Sequence, residues 1–175
     1  MLAAIARGDQ AAFVAFYREH APLVARVGGR MGLDSADVED LVQTTFVEVL
    51  AAAARFEGRS SLRSWVVGIA LNQARNAIRA RVTARSHAPG VRAASPDVSE
   101  SAEGLLEQAE QLDRLRQAIL ELPAIQREAL ALCELQELPA REVSALLGVP
   151  AGTLWRRLHD ARATLRQRLD DKGTP

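Results

Sequence analysis

Residues Leu138–Leu169 read LPAREVSALLGVPAGTLWRRLHDARATLRQRL, and this stretch decides the fold. Pro139 can open a short helix, because a proline has no amide hydrogen to lose in a first turn. Val143, Leu146 and Leu147 then recur at helical spacing, and Gly148 supplies the left-handed residue that ends such a helix. Val149-Pro150-Ala151 makes the turn. A second helix follows, with Leu154, Leu158, Ala161, Leu165 and Leu169 on one stripe. Opposite that stripe stand Gly152, Trp155, Arg156, His159, Asp160, Ala163 and Arg166, with Arg157 on the flank. A proline-started helix, a three-residue turn and a second helix with outward arginines form a helix-turn-helix, built to enter a major groove. Thr153 and the amides of the first turn can meet phosphate. Arg156 and His159 are placed for base edges.

Outward from this segment the chain reads as helical throughout. Aromatic residues are only 4% of the 175, while alanine and leucine abound, which favours helices over strands. The Lys+Arg and Asp+Glu counts are equal at 22, so the formal net charge is zero. That zero is a cancellation. Arginines 55, 59, 63, 75, 79, 81 and 85 face Glu57 alone; Arg92 then faces Asp97, Glu100, Glu103, Glu107, Glu110 and Asp113. From Leu154 to Arg168, five arginines face Asp160. Two basic blocks flank an acidic one.

Towards the N-terminus, Asp9 can cap a helix bearing Phe13, Phe16, Tyr17, Val24 and Val27. Pro22 predicts a kink or break in it, and Gly28, Gly29 and Gly32 loosen its end. A second helix, from Asp34 or Ser35, carries a buried stripe of Val38, Leu41, Val42, Thr45, Phe46, Val49, Leu50 and Ala53. Asp37, Glu39, Asp40 and Gln43 are expected outside. Glu57 to Ser61 is a turn and cap. The third helix buries Leu62, Trp65, Val66, Ile69, Ala70 and Ala77, with Gly68, Asn72, Arg75 and Arg79 as a cationic edge beside that stripe. Trp65 borders the stripe, with core packing ahead of base stacking.

Periodicity fades from Val82 to Gly104, where prolines, glycine and serines mark a flexible, later acidic linker. Helicity resumes near Leu105 and runs through Leu112, Leu115 and Ile119 to Pro123. The next helix turns Ile125, Ala129, Leu130 and Cys133 inward. The expected architecture is all-α: two small helical domains, 1–85 and 105–175, joined by a flexible linker over 86–104, the second domain holding the helix-turn-helix.

No catalytic constellation, phosphate-binding glycine loop or metal cluster is legible, and no cofactor is implied. His20, His87 and His159 are scattered, and His20 reads as a surface or half-buried residue. Cys133, the one cysteine, reads as a small buried apolar residue and leaves no disulfide within the chain. Without a signal peptide or spanning segment, the expected setting is cytoplasmic.

Three segments in order resemble short bacterial sigma factors of the extracytoplasmic-function (ECF) group of the sigma-70 superfamily. They are Ala36-Asp37-Val38-Glu39-Asp40-Leu41-Val42-Gln43-Thr44-Thr45-Phe46, Phe56-Glu57-Gly58-Arg59-Ser60-Ser61-Leu62-Arg63-Ser64-Trp65 through Asn72, and Leu122-Pro123 with Gly148 through Arg162. The resemblance implies a promoter-specificity subunit, with core RNA polymerase, promoter DNA and an anti-sigma factor as partners and no small-molecule substrate. It implies a polymerase-binding face at Asp37, Glu39, Asp40 and Gln43, the last two on the clamp helices of the largest subunit. It implies minus-ten DNA contacts at Arg63, Trp65, Asn72, Arg75 and Arg79, with Asn72 opening the loop that takes a flipped base. It implies minus-thirty-five contacts at Thr153, Trp155, Arg156, Arg157 and His159, and a linker threading toward the active-site channel. Asp160 stands where the family often has arginine, and Trp155 is bulky for its place. Two other readings fit fewer residues: a stand-alone helix-turn-helix regulator, and a helical adaptor that no longer binds DNA.

Overall fold

In the computed structural model, the described residues are 1–87, 111, 114–133 and 138–171; side chains are described to residue 80 in the first stretch and to residue 170 in the last. Among them every regular element is helical. The helices are α1 (Leu2–Ala6), α2 (Gln10–Met31), α3 (Ser35–Ala52), α4 (Leu62–His87), a short helix α5 at 114–120, α6 (Ala124–Cys133), α7 (Ala140–Leu147) and α8 (Ala151–Asp171). The expected linker over 88–104, and the expected helical restart at Leu105 and Leu112, lie outside the described residues.

Local chemistry sets the helix ends. Asp9 accepts from the Ala12 amide at 3.0 Å, and Asp34 accepts from the Asp37 amide at 3.0 Å, each satisfying a donor that the helix cannot. Gly32 (φ 93°) and Gly148 (φ 64°) terminate α2 and α7 in the left-handed region. Pro22 does not break the chain into two elements: α2 runs unbroken through it. Phe16, Leu23, Val24 and Val27 are buried on both sides of the exposed Pro22, and that burial carries the helix across the missing amide.

α2, α3 and α4 pack on one another as a first unit. Gly28 lets α2 and α3 approach closely, since a Cβ there would sit 2.8 Å from Leu41 Cδ2 and 3.1 Å from Val38 Cγ2. Phe46 lies among the rings of Phe13, Phe16 and Tyr17, with centroids 4.7 to 6.2 Å away. His20 is buried, stacked on Phe16 at 4.2 Å with Nδ1 3.0 Å from the Phe16 carbonyl, not at the surface. Leu50 is exposed, because it shares a face with Gln43 and not with Phe46 and Val49.

The second unit is α5 to α8. Pro139 takes the N-cap of α7, and the Thr153 and Leu154 amides close onto the Pro150 carbonyl as α8 begins. Leu154, Leu158 and Ala161 are buried, Leu165 half-buried, and Leu169 exposed on the last turns of α8. Ile125, expected inward, is exposed in the first turn of α6, and Cys133 is half-buried.

The two units share a single apolar cluster that runs from Phe16 and Val66 to Leu132, Val143 and Leu158. α6 rests on α2, and α7 rests on α4.

Candidate nucleic-acid interface

The outer face of α3 starts from its N-cap. Glu39, Asp40 and Gln43 are exposed. Asp37 is half-buried, since it lies in the first turn beside its cap rather than out on the face. Asp40 and Gln43 are adjacent one turn apart, and the same side continues as Val47 and Leu50, which are 68% and 46% exposed. Acceptors at the helix start thus give way to bare apolar side chains.

α4 is set by Ser61, whose Oγ accepts from the Ser64 amide at 3.2 Å. Trp65 is half-buried with its ring 5.0 Å from Phe56, a packing contact. The apolar side of α4 is rotated from the expected stripe. Val66, Val67, Ala70, Leu71 and Ala74 are buried, whereas Leu62, Ile69 and Ala77 are only half-buried. About 100° per residue places Val67, Leu71 and Ala74 on the flank that leads to Gly68 and Arg75.

That flank is where the second unit docks. A Cβ on Gly68 would lie 2.9 Å from Leu146 Cδ2 of α7. Arg75 donates from Nε to Glu128 Oε1 at 2.8 Å and from Nη2 to Glu128 Oε2 at 2.7 Å, a paired fork. Glu128 is a buried side chain of α6, while Arg75 keeps 30% of its side-chain exposure. The fork holds the Arg75 guanidinium above its ordinary value, despite the burial that opposes charge. Burial lowers the neighbouring Arg127, with Glu128 opposing. The Ser61 hydroxyl donates to Glu142 Oε2 at 2.8 Å, and the Ser64 hydroxyl donates to the same oxygen. Ser64 and Ser61 hold the Glu142 carboxyl below its ordinary range. Leu120 of α5 closes the far end, 2.7 Å from a Cβ on Gly32.

The expected cationic edge therefore divides. Asn72 and Arg79 are exposed, as is Arg63 near the helix start. Arg79 lies along the helix, donating from Nη2 to Asn76 Oδ1 at 2.6 Å. Arg75 is engaged by the second unit.

α8 presents the opposite case. Thr153, Trp155, Arg156 and His159 are exposed, Trp155 at 54%, and Arg157 is half-buried on the flank. His159 Nδ1 lies 3.4 Å from Asp160 Oδ1. Beyond the Gly148 cap, Ala151, Gly152 and Thr153 are exposed, with nothing within 4 Å of a Cβ at Gly152. This helix can present amides, arginines and an imidazole to one groove.

Sequence reading missed Glu128, Glu142 and Leu146 as partners of α4. The available signal was Glu128 itself, a carboxylate one turn ahead of Ala131 and Leu132 on an apolar side. Among the described residues no group of histidine, cysteine or carboxylate side chains could hold a metal ion. No helix among them is long and apolar enough to cross a membrane.

Known proteins match both units. Sigma-70 region 2 matches residues 16–83, and Sigma-70 region 4 matches residues 112–165. The chain is 31% identical to the RNA polymerase sigma factor CarQ of Myxococcus xanthus, covering 94% of this chain and 92% of that protein. It is an ECF sigma factor of the sigma-70 family. The sigma factor is also 32% identical to the ECF sigma-E factor of Escherichia coli, over 98% of this chain and 91% of that one. It is 31% identical to SigE of Mycolicibacterium smegmatis, of whose length it spans 65%. Among solved structures, CnrH in complex with the cytosolic domain of CnrY superposes with a TM-score of 0.74 at 26% identity, covering 97% of this chain and 95% of that one. RpoE of Bartonella quintana in complex with the anti-sigma factor NepR gives 0.72 at 26% identity, over 89% and 97%.

Proposed function

We propose that this sigma factor directs promoter-specific initiation, with each of three surfaces meeting one element of the transcription machinery. The outer face of α3, through Glu39, Asp40 and Gln43 with Asp37 at its root, binds core RNA polymerase. The α4 edge, through Arg63, Asn72, Arg75 and Arg79 with Trp65 beneath, handles the minus-ten element: melting needs cations along a strand and a place for an extruded base. The α8 face, through Thr153, Trp155, Arg156, Arg157 and His159, reads the minus-thirty-five element. The chain divides accordingly into a polymerase and minus-ten domain (1–85), a linker (86–104) and a minus-thirty-five domain (105–175). It works in the cytoplasm as a specificity subunit without chemistry of its own.

The observation that carries this reading is the exposure of Asp40, Gln43 and Asn72 on the first unit and of Arg156 and His159 on the second. Residues that serve only a core would not be left in solvent at these positions. An anti-sigma partner is proposed because the Bartonella RpoE was solved with the anti-sigma factor NepR bound.

Run-off transcription with core polymerase over genomic DNA tests the whole. Transcripts from a discrete set of start sites are expected, and none beyond core polymerase alone would refute it. Asp40→Ala with Gln43→Ala should leave the fold intact and weaken core binding in a pull-down. Wild-type recovery of core polymerase would reassign the α3 face.

A further inference from the structure

The two tryptophans of the chain stand in opposite environments. Trp65 is half-buried, its ring 5.0 Å from that of Phe56. Trp155 is 54% exposed, and its indole has no ring partner among the described residues. It follows the first turn of α8, in the part of a groove-reading helix that meets base edges. At about 100° per residue, Trp155 and Arg157 lie on opposite edges of the outward face, with Arg156 between them. Neither neighbour one turn away covers the indole. Behind it is Gly152, which has no side chain and nothing within 4 Å of a Cβ. Ahead of it, the His159 imidazole is drawn toward Asp160 on the far side of the face, Nδ1 3.4 Å from Oδ1. An exposed indole is a large apolar surface that gains by leaving water. The base edges of a major groove offer it one apolar group, the C5-methyl of thymine; the other groups there donate or accept hydrogen bonds. A phosphate would engage only the single indole N–H.

We infer that Trp155 is a specificity-determining residue that packs on a thymine methyl, so that a T·A pair is selected beside the pair met by Arg156. This assignment rests on the proposed minus-thirty-five role of α8 and names the chemistry of one position in that element. It divides the outward face into three. Arg156, in the middle, supplies donors to a base edge. Arg157, on one edge, lies toward phosphate. Trp155, on the other edge, excludes water from a methyl group. Gly152 belongs to the same arrangement, because a bare backbone lets the duplex approach the first turn closely.

The test uses core polymerase loaded with the full chain and a promoter duplex taken from the run-off start sites. Each thymine of the upstream element is replaced in turn by deoxyuridine, which lacks only the C5-methyl. Affinity is read by competition against the unmodified duplex. One thymine should respond, with binding weakened about fourfold, the loss that matches one buried methyl-sized group. With Trp155→Ala the thymine and deoxyuridine duplexes should bind alike at that position, and Trp155→Phe should keep most of the discrimination. Changing that T·A pair to C·G should weaken wild-type binding. Placing 5-methylcytosine there should recover the share due to the methyl, but only while an aromatic ring stands at position 155. The base replacements probe the unaltered chain, so they decide the matter even where a Trp155 variant does not fold. No thymine responding to loss of its methyl, or a response that survives Trp155→Ala, would overturn the assignment. So would an even weakening of all duplexes by Trp155→Ala, which would place the indole on the sugar-phosphate wall. Failure of the α8 reading itself has a different signature: Arg156→Ala and Trp155→Ala would both leave affinity and preference for the upstream element untouched.

Discussion

Two arginine-bearing helix faces, on α4 and α8, look alike in sequence and stand in opposite states in the molecule. On α8 the side chains opposite the buried stripe are in solvent, as are Gly152 and Thr153 in the first turn. On α4 the flank next to the stripe is filled by another unit, and its central arginine is paired with a buried carboxylate. The difference teaches that spacing identifies a polar face but not its occupant. A helix packed on one side only keeps Arg156 and His159 in solvent. A helix in the middle of the fold, packed on several sides, lends an arginine to its own protein.

The largest effect expected is on α4. Arg75→Ala would strand Glu128, whose side chain is only 9% exposed. Leaving one member of a buried pair costs roughly 3 kcal/mol or more. Urea unfolding should show that loss, and Arg75→Ala with Glu128→Gln should recover a large part of it, since the stranded charge is gone. The single and double variants unfolding at the same midpoint would break the contrast between the two faces. An arginine on α8 should behave otherwise: Arg156→Ala should leave the midpoint within about 0.5 kcal/mol of wild type.

What Arg156→Ala should change is recognition. A lost bidentate base contact costs roughly 1–3 kcal/mol and relaxes one position of the site. Arg157, half-buried on the flank, lies nearer phosphates. Arg157→Ala should weaken all sites evenly and reduce the salt slope by about one. Asp160→Arg should raise affinity generally. Titration of a promoter library at several salt concentrations measures all three. Loss of the preferred site in Asp160→Arg would identify Asp160 as an acceptor for a cytosine amino group.

The helices, their caps and the outward face of α8 were legible because they are local. Asp9, Asp34, Gly32 and Gly148 act within a turn of themselves, and Leu154, Leu158 and Ala161 follow one period. What depends on distant packing was not legible. Pro22 sits in an unbroken helix because buried neighbours on both sides outweigh one missing amide. The stripe on α4 was misplaced because the helix packs on several sides at once, against α2, α3 and α7, so that Val67, Leu71 and Ala74 are buried as well. For the same reason Gly68 and Arg75 read as solvent-facing beside Asn72. Residue types alone could not show that the arginine would meet Glu128, 53 positions away.

Two glycines sharpen the comparison at smaller amplitude. Alanine in place of a helical glycine gains up to about 1 kcal/mol from helix propensity. At Gly28 the new methyl meets Leu41 and the β-branched Val38 within the first unit. Val38 has little rotamer freedom, so Gly28→Ala should be net destabilising, by roughly 1 kcal/mol. At Gly68 the methyl meets only the end of Leu146, which can turn aside. Gly68→Ala should therefore leave thermal stability within about 0.5 kcal/mol, because propensity offsets the contact, yet loosen the docking of α7. Thermal melts, and the efficiency of fluorescence energy transfer between dyes on cysteines placed at the exposed positions Ala11 and Ala163, read the two consequences separately. Equal destabilisation by both substitutions would place Gly68 within the same rigid packing as Gly28.

The smallest expected effect is that of pH on docking through Glu142. The Ser64 hydroxyl, then the Ser61 hydroxyl, hold this carboxyl below its ordinary value of 4.5, with a lesser contribution from Arg141, while burial opposes them. A carboxyl whose value is depressed in the docked form favours docking when ionised. Its contribution is fully present above the ordinary value and is lost as pH falls through the depressed one. The Glu142 carboxyl is half-buried and its partners are neutral hydroxyls, so the contribution is smaller than that of the Glu128 fork. Transfer efficiency between the two units should thus be flat from neutral pH down to about 4.5 and decline below it. Glu142→Gln should remove the part of that decline due to this group, because the amide accepts from the serines but does not titrate. An identical acid limb in the Glu142→Gln chain would assign the decline elsewhere, to the remaining carboxylates and Glu128 first among them.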